Sequence, residues 1–514
     1  MYRIHNLLGK SDYIYISILF ILSFSINWIY AKNGVFPIDS FYHYDPGYRI
    51  INGELPIKDY WVTTGIFVDF LEALFFYMFG AKWFSHILHA SILNGLIAVL
   101  VYFLFVKLNL KKIFSFTFAL LFGVLAYTSS GTPFVDHHAT FLLLAGTIFL
   151  VLGIKTNFLS YWFLSPWFFG LSFLCKQVPS SYMIIVSSII LLSYFIIERN
   201  KKALYCLISS SILFLFFISL VIFYLDIGFK DFYVQYILYP PSIGEGRLGN
   251  FKITFTGFFN HYKFIIIPLL FIILFKIKNF KKDIFQNLLI LSFVVCLIFH
   301  QILTKNQIYI YFIIPILFGL LEREIYLSKF ELKKYISVFS LICLLLITLK
   351  YHYRFNEDRK FHELENTNFD YAIPADNLDK KLSGLLWINP FFQGKPIEEI
   401  SIIKKGITKL NREEDEIMLL THYLFLDSIT KRNLNSPNRS FTTDGASMPS
   451  KENKYFNYYK NYFVNKIKNK NIKKVYYFKH ENIPQITLTD HLSSDCYDKS
   501  EDDIFFVFSI KCSK

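Results

Sequence analysis

Long apolar runs separated by short polar segments fill the first 350 residues of the chain. About 20 apolar residues cross a bilayer as a helix, within a range of about 17–25. Runs of this kind fall at 13–31, 83–106, 113–129, 136–154, 159–175, 179–197, 203–226, 264–275, 284–303, 308–321 and 335–351. The pattern predicts eleven spans, the eighth and tenth extending beyond these short limits. The pattern changes at about residue 353, where Lys, Asn, Asp and Glu become frequent. Short strand-like runs at 385–388, 417–423, 474–478 and 504–509 alternate there with helical stretches. The expected organisation is therefore a helical transmembrane domain over 1–352 and a small α/β domain over 353–514, a usual domain size. There is no internal repeat.

An odd number of spans puts the two ends of the chain on opposite sides. The connections on the N-terminal side hold 17 Lys and Arg in 47 residues, against 10 in 101 on the other side. Basic residues are retained in the cytoplasm, so the N-terminus is expected inside. Three parts then project outward: a first loop (32–82), a second loop (227–263) and the C-terminal domain. Val62–Phe79 is apolar enough to span but carries Asp69 and Glu72. Counting it as a span would reverse every later connection. It is expected to lie as an interfacial helix on the outer leaflet, with the two acids, three apart, on one face. The run at 13–31 is longer than a signal-peptide core and no small-x-small site follows it, which predicts an uncleaved first span.

Composition narrows the class. The chain is 54% apolar and 18% charged, whereas soluble chains average about 45–50% and about 25%. A soluble multidomain enzyme and a disordered chain are excluded. With 22 Gly and 16 Pro, so are fibrous and low-complexity classes. The net charge of +14 matters here through its position rather than its sum. Six Cys without a CxxC pair make neither a disulfide scaffold nor a metal-type motif.

The first outer loop holds the densest chemistry: Asp39, Asp45, Glu54, Asp59, Asp69 and Glu72 crowd in directly after the first span. An acidic solvated loop is the plain explanation. Against it, Asp39 falls near the membrane surface among aromatics, where burial raises a carboxylate toward the range of a general base. Asp136-His137-His138 opens the fourth span, where an acid and two imidazoles are costly unless paired or functional; helix capping by Asp136 is the alternative. Adjacent His residues lack the i, i+4 spacing of a zinc helix. Lys176 and Lys305 sit at the outer ends of the fifth and ninth spans, and each can simply snorkel. Arg247, in the second outer loop, is a candidate phosphate clamp. The expected topology gathers all of these on one face.

These residues resemble a known group. The pattern Asp39, then Gly53-x-x-Pro56-x-x-Asp59-Tyr60-Trp61, then Gly65 and an apolar helix ending in Phe79-Gly80, together with Asp136-His-His and Phe173-Leu-Cys-Lys176-Gln177, looks like the polytopic C-type (GT-C) glycosyltransferases. Within these it is similar to the bacterial set related to dolichyl-phosphate-mannose protein mannosyltransferases and lipid A aminoarabinose transferases. The resemblance covers about residues 10–350, with the tail matching only in general position.

The resemblance implies a GT-C-like α-helical polytopic membrane protein with a C-terminal extracytoplasmic α/β domain. It implies a sugar donor carried on a polyprenyl phosphate, and a first-loop acid that activates an acceptor hydroxyl for inverting attack on the anomeric carbon. Asp39 occupies the family's position and Asp45 is the next candidate; the family often shows Asp-Glu or Asp-x-Asp there, and Ser40 leaves the choice open. Asp59 and Asp69 would support the loop, with Asp136 as a second acidic motif. Lys176, Arg247, Lys305, His137 and His138 are the available partners for the lipid phosphate, through charge-assisted bonds. A monophosphate leaving group is neutralised by side chains alone, so no metal or other cofactor is required, although some relatives use a divalent metal. The partners implied are the lipid-linked donor, a lipid, glycan or protein acceptor, and membrane lipids, with no nucleic acid.

Lys-, Asn-, Ile- and Phe-rich usage points to an AT-rich bacterial genome, and so to an inner-membrane protein whose C-terminal domain is periplasmic. Disulfides persist on that side. Cys496 and Cys512 are expected to bond, and Cys175, Cys206, Cys296 and Cys343 to be free. Two other classes remain open. A transporter or flippase would place ionisable residues near the midplane, which is nearly uncharged here. A non-catalytic scaffold would leave the acidic loop idle.

Overall fold

The computed structural model describes residues 9–248, 254–276, 283–304, 310–442, 445–481, 483 and 486–512. Each of the eleven expected spans falls on a helix. Nine helices among the described residues are long and apolar enough to cross a membrane, and they make the chain a multi-pass membrane protein. The other two are shorter, one at the lower end of the spanning range and one just below it. Leu159–Cys175 has 17 residues, and the chain leaves it at Lys176, whose backbone is extended. Ile313–Leu327 has 15 residues and carries Glu322-Arg323-Glu324, which cut its apolar run. The eighth span runs well beyond its apolar core, over Phe255–Lys276.

Ile66–Phe79 forms a helix of 14 residues, too short to span. Its two acids share a face, as their spacing requires. That face points into the protein, because Asp69 and Glu72 are both fully buried.

The C-terminal domain is built on a mixed sheet. The strands Ile417–Leu420 (β3), Lys474–Phe478 (β4), Tyr497–Glu501 (β5) and Phe505–Ile510 (β6) take the order β3-β4-β6-β5, with β3 parallel to β4 and the other pairs antiparallel. Ile373–Pro374 (β1) and Leu386–Trp387 (β2) form a separate small pair. Side chains alternate across the sheet with period two. Leu419, Tyr476 and Phe478 pack on Ile400 and Ile403 of the helix Pro396–Leu410. Met418, Val475 and Tyr477 pack on Tyr459 and Phe463 of the helix Phe456–Asn469. With both faces covered, β3 is buried throughout, the burial expected of a strand between two layers. Cys496 and Cys512 are bonded, and the other four Cys are free.

The domain is not a loose appendage. Val35, Phe41 and Tyr44 of the first loop share one hydrophobic core with Trp387, Phe425 and Phe505. Phe41 lies 4.7 Å from Phe425 and 5.2 Å from Trp83, ring centre to ring centre. Backbone bonds add to this: Val35 donates to the Ile388 carbonyl at 2.9 Å, and Trp61 to that of Pro437 at 2.8 Å. The first loop is thus clamped between the helical bundle and the sheet, and its acids are held in fixed positions.

Candidate functional site

Asp39 sits in a single helical turn, Pro37–Ser40, opened by a proline. Three side chains staple this turn to its surroundings. Arg359, 1% exposed, donates to the carbonyls of Asn33 (3.1 Å), Thr128 (3.1 Å) and Ser130 (3.2 Å). His362 donates from Nε2 to the Ser130 carbonyl at 2.8 Å, and its Nδ1 lies 3.3 Å from the Ser40 hydroxyl. Ser40 Oγ accepts from the Phe36 amide at 3.1 Å.

Beside this turn lies an ion cluster assembled from three helix ends. Lys176 Nζ meets Asp136 Oδ1 at 2.6 Å, and His300 Nε2 reaches the same oxygen at 3.1 Å. Lys176 is held where the chain breaks between two helices. The Gly65 amide (2.7 Å) and the Thr64 hydroxyl (2.9 Å) bond to the Cys175 carbonyl. The Gln177 amide group donates to the carbonyls of Thr63 (2.9 Å) and Tyr236 (2.8 Å). The Cys-Lys-Gln motif therefore ties both outer loops to the bundle. Asp39 is partly exposed. Burial, reinforced by the Asp136 and Glu363 carboxylates and opposed by the Lys176 ammonium, pushes its carboxyl up to about 7.

A second layer lies behind. His43 Nδ1 bonds Asp69 Oδ1 at 2.7 Å, and Arg439 of the C-terminal domain bonds the other carboxylate oxygen and the Thr64 carbonyl. Glu72 receives His86 Nδ1 and His89 Nδ1, both at 2.7 Å. The chain continues through His138, whose Nε2 lies 2.9 Å from His89 Nε2, to the Tyr127 hydroxyl, 2.6 Å from His138 Nδ1. Along the His89 branch one set of directions is consistent: Tyr127 donates to His138, His138 to His89, and His89 to Glu72; His86 lies between two acceptors, with Nδ1 facing Glu72 and Nε2 the Ser40 carbonyl, both at 2.7 Å.

Gly65 makes the close approach between these layers possible. Its φ of +82° lies in the left-handed region. A Cβ there would stand 2.7 Å from His43 Cε1 and 2.8 Å from both Arg439 and Val135. Gly65→Ala is therefore expected to cost about 1–3 kcal/mol in backbone strain and a similar amount in overpacking. A fall in the thermal unfolding midpoint of the purified protein checks it; an unchanged midpoint refutes it.

The structure sorts the other candidates. Asp45 does not join Lys176. It is 4% exposed, lies 3.5 Å from Arg49, and shares a site with Asp427; burial and then Asp427 push it well above the usual carboxylate range. Asp59 accepts from the Leu55 amide at 2.8 Å and shapes its own loop. His137 and His138 are both buried. His137 packs 2.9 Å from Ser129 Oγ and His138 belongs to the relay, so both imidazoles have internal partners. Arg247 lies in the helix Tyr239–Leu248 with its side chain outside the described residues, and Lys305 is also outside them. Sequence reasoning missed His43, His300, Arg359, His362 and Arg439. His86 and His89, three apart in an apolar span, were a legible signal of a shared buried partner. Among the described residues, no three His, Cys, Asp or Glu side chains form a metal ligand set.

No family model and no curated protein matches the chain. Among solved structures, it is similar to ArnT from Cupriavidus metallidurans bound to undecaprenyl phosphate. The match covers 98% of this chain and 99% of that one, with a TM-score of 0.45 and 11% identity. At that level the function has to be read from the residues themselves.

Proposed function

We propose that this chain is a membrane glycosyltransferase. It takes a sugar from a polyprenyl-phosphate carrier and transfers it to an acceptor hydroxyl at the end of the bundle that carries the C-terminal domain. The single observation behind this reading is Asp39, a partly exposed carboxyl raised to about 7 beside the Lys176–Asp136–His300 cluster. A carboxylate tuned near neutrality accepts a proton efficiently. In the proposed step the acceptor hydroxyl gives its proton to Asp39 as its oxygen attacks the anomeric carbon. The bond from that carbon to the phosphate oxygen breaks, the configuration inverts, and polyprenyl phosphate leaves. Lys176 retains 17% side-chain exposure, so it can meet the leaving phosphate by a charge-assisted bond. The excess of Lys and Arg in the opposite connections supports a reading in which this end lies outside the cytoplasm, in the periplasm of a bacterium.

The test is transfer of labelled sugar from polyprenyl-phosphate donors by the purified protein in liposomes. Label recovered on an acceptor supports the reading. Label that crosses the bilayer still attached to its carrier overturns it in favour of a flippase. Lys176→Gln is expected to raise the KM for the donor by about 10- to 100-fold, the loss of one hydrogen bond to a charged group, with Lys176→Arg recovering most of it. Unchanged donor KM in the Gln variant removes Lys176 from the phosphate site.

A further inference from the structure

A cleft of about 720 Å³ opens between the first loop, the second loop and the C-terminal domain. Its lining includes neither Asp39 nor the Lys176–Asp136–His300 cluster, and the chemistry proposed above uses none of its side chains. One wall is the helix Phe456–Asn469, which presents Asn461, Asn465 and Asn469 along the cleft. These are four residues apart, on one stripe, about 6 Å from each to the next. That spacing is comparable with the advance of one sugar unit along an extended chain. All three side chains are exposed and make no hydrogen bond among the described residues. A carboxamide both donates and accepts, so each can serve a pair of neighbouring sugar hydroxyls.

The charges of the cleft divide in two. One pair is already matched, Lys58 with Asp226 at 2.8 Å; Asp231 accepts from the neutral Tyr458 hydroxyl, and the buried Lys466 donates to the Asp59 backbone carbonyl. Lys230, on the second loop, and Lys470, just beyond the asparagine stripe, have no partner among the described residues. Two free ammonium groups and a ladder of carboxamides make a surface for a polar chain that carries negative charge. The cleft also backs onto the catalytic layer. Gln235 in its wall bonds the Ile57 carbonyl and the Val62 amide, both at 3.1 Å, and the next residue, Tyr236, is bonded by Gln177 beside Lys176.

We propose that this cleft binds an anionic saccharide and holds the acceptor glycan of the transferase, with the asparagines meeting hydroxyls and Lys230 and Lys470 meeting acidic groups. The acceptor role rests on the transferase reading; the binding does not.

The experiment measures equilibrium binding of fluorescent tri-galacturonate to the full-length protein in nanodiscs, with maltotriose and inorganic phosphate as competitors. Tri-galacturonate is expected to bind, and Asn465→Ala/Asn469→Ala to weaken it by about tenfold. Lys230→Gln/Lys470→Gln should remove its advantage over maltotriose. Both double variants alter exposed positions, and an unchanged thermal unfolding midpoint for each would show that the fold survives. Full displacement by inorganic phosphate alone identifies a plain anion site and overturns the saccharide assignment. So does binding that ignores both double variants, or no binding. Transfer to acceptor without tri-galacturonate binding sinks the cleft and leaves the transferase. Binding without any transfer sinks the transferase and leaves the cleft.

Discussion

Asp39→Asn lowers kcat/KM for sugar transfer by about 10²–10⁴-fold, the share of a rate that a positioned general base supplies. The carboxamide keeps the size of the side chain and removes its ability to accept the proton. The wild-type pH profile carries the same information. With the Asp39 carboxyl raised to about 7, the base is protonated below that pH, so kcat/KM falls about tenfold per unit on the acid side. In the variant this limb disappears from the residual rate. Unfolding does not account for the loss. A carboxyl raised in the folded state binds its proton more tightly there than in the unfolded chain, so its stabilising contribution is present below about pH 4 and is lost as pH rises through about 7. Asn carries no such charge, and Asp39→Asn is expected to melt no lower than wild type at pH 8. Asp45→Asn, in a carboxyl pair beneath the C-terminal domain, should keep transfer within a few-fold. The reverse order, with Asp45→Asn inactive and Asp39→Asn active, would move the base to the other acid.

The difference between these two acids could not be read from the sequence. Both lie within the 14 residues that follow the first span, and neither carries a local signal of its partner. What separates them is contributed from far along the chain: Lys176 and His300 for the Asp39 cluster, Asp427 for Asp45. Local patterns fared better. Apolar runs mark the helices because a bilayer imposes a length, and the short apolar run in Lys474–Phe478 marks a strand because both faces of its sheet are covered. Tyr497–Glu501 escaped notice for a physical reason. It is an edge strand, four of its five residues are exposed, and charged residues on an edge guard against further pairing at the expense of the apolar pattern by which strands are recognised. The helix Ile66–Phe79 shows both limits at once. The shared face of Asp69 and Glu72 was legible in their spacing. The direction of that face was not, since it depends on His43, His86, His89 and Arg439 lying ready to receive the two acids.

Arg439 is where that dependence has its largest effect on stability. Its guanidinium is 3% exposed and grips a carboxylate with no exposure at all. It also bonds the Thr64 carbonyl, beside the Gly65 approach, and its guanidinium carbon lies 5.3 Å from the Tyr42 ring centre. Arg439→Ala leaves Asp69 buried with His43 alone, and an uncompensated charge of this kind costs about 3–5 kcal/mol. The expected result is a lower unfolding midpoint and faster proteolysis within the first loop, together with reduced transfer, because the turn bearing Asp39 is held between the bundle and the domain that supplies Arg439. Removing both charges separates the ion pair from the packing. Arg439→Met combined with Asp69→Leu should recover a large part of the stability, since replacing a buried pair by apolar groups is often near neutral. Transfer should stay low, because His43 has then lost the Asp69 carboxylate and the first loop its fixed register against the C-terminal domain. If Arg439→Ala melts with wild type, the clamp is not what holds the loop. If the double variant regains full transfer along with its stability, the Asp69–Arg439 pair contributes to the fold and nothing to the geometry around Asp39.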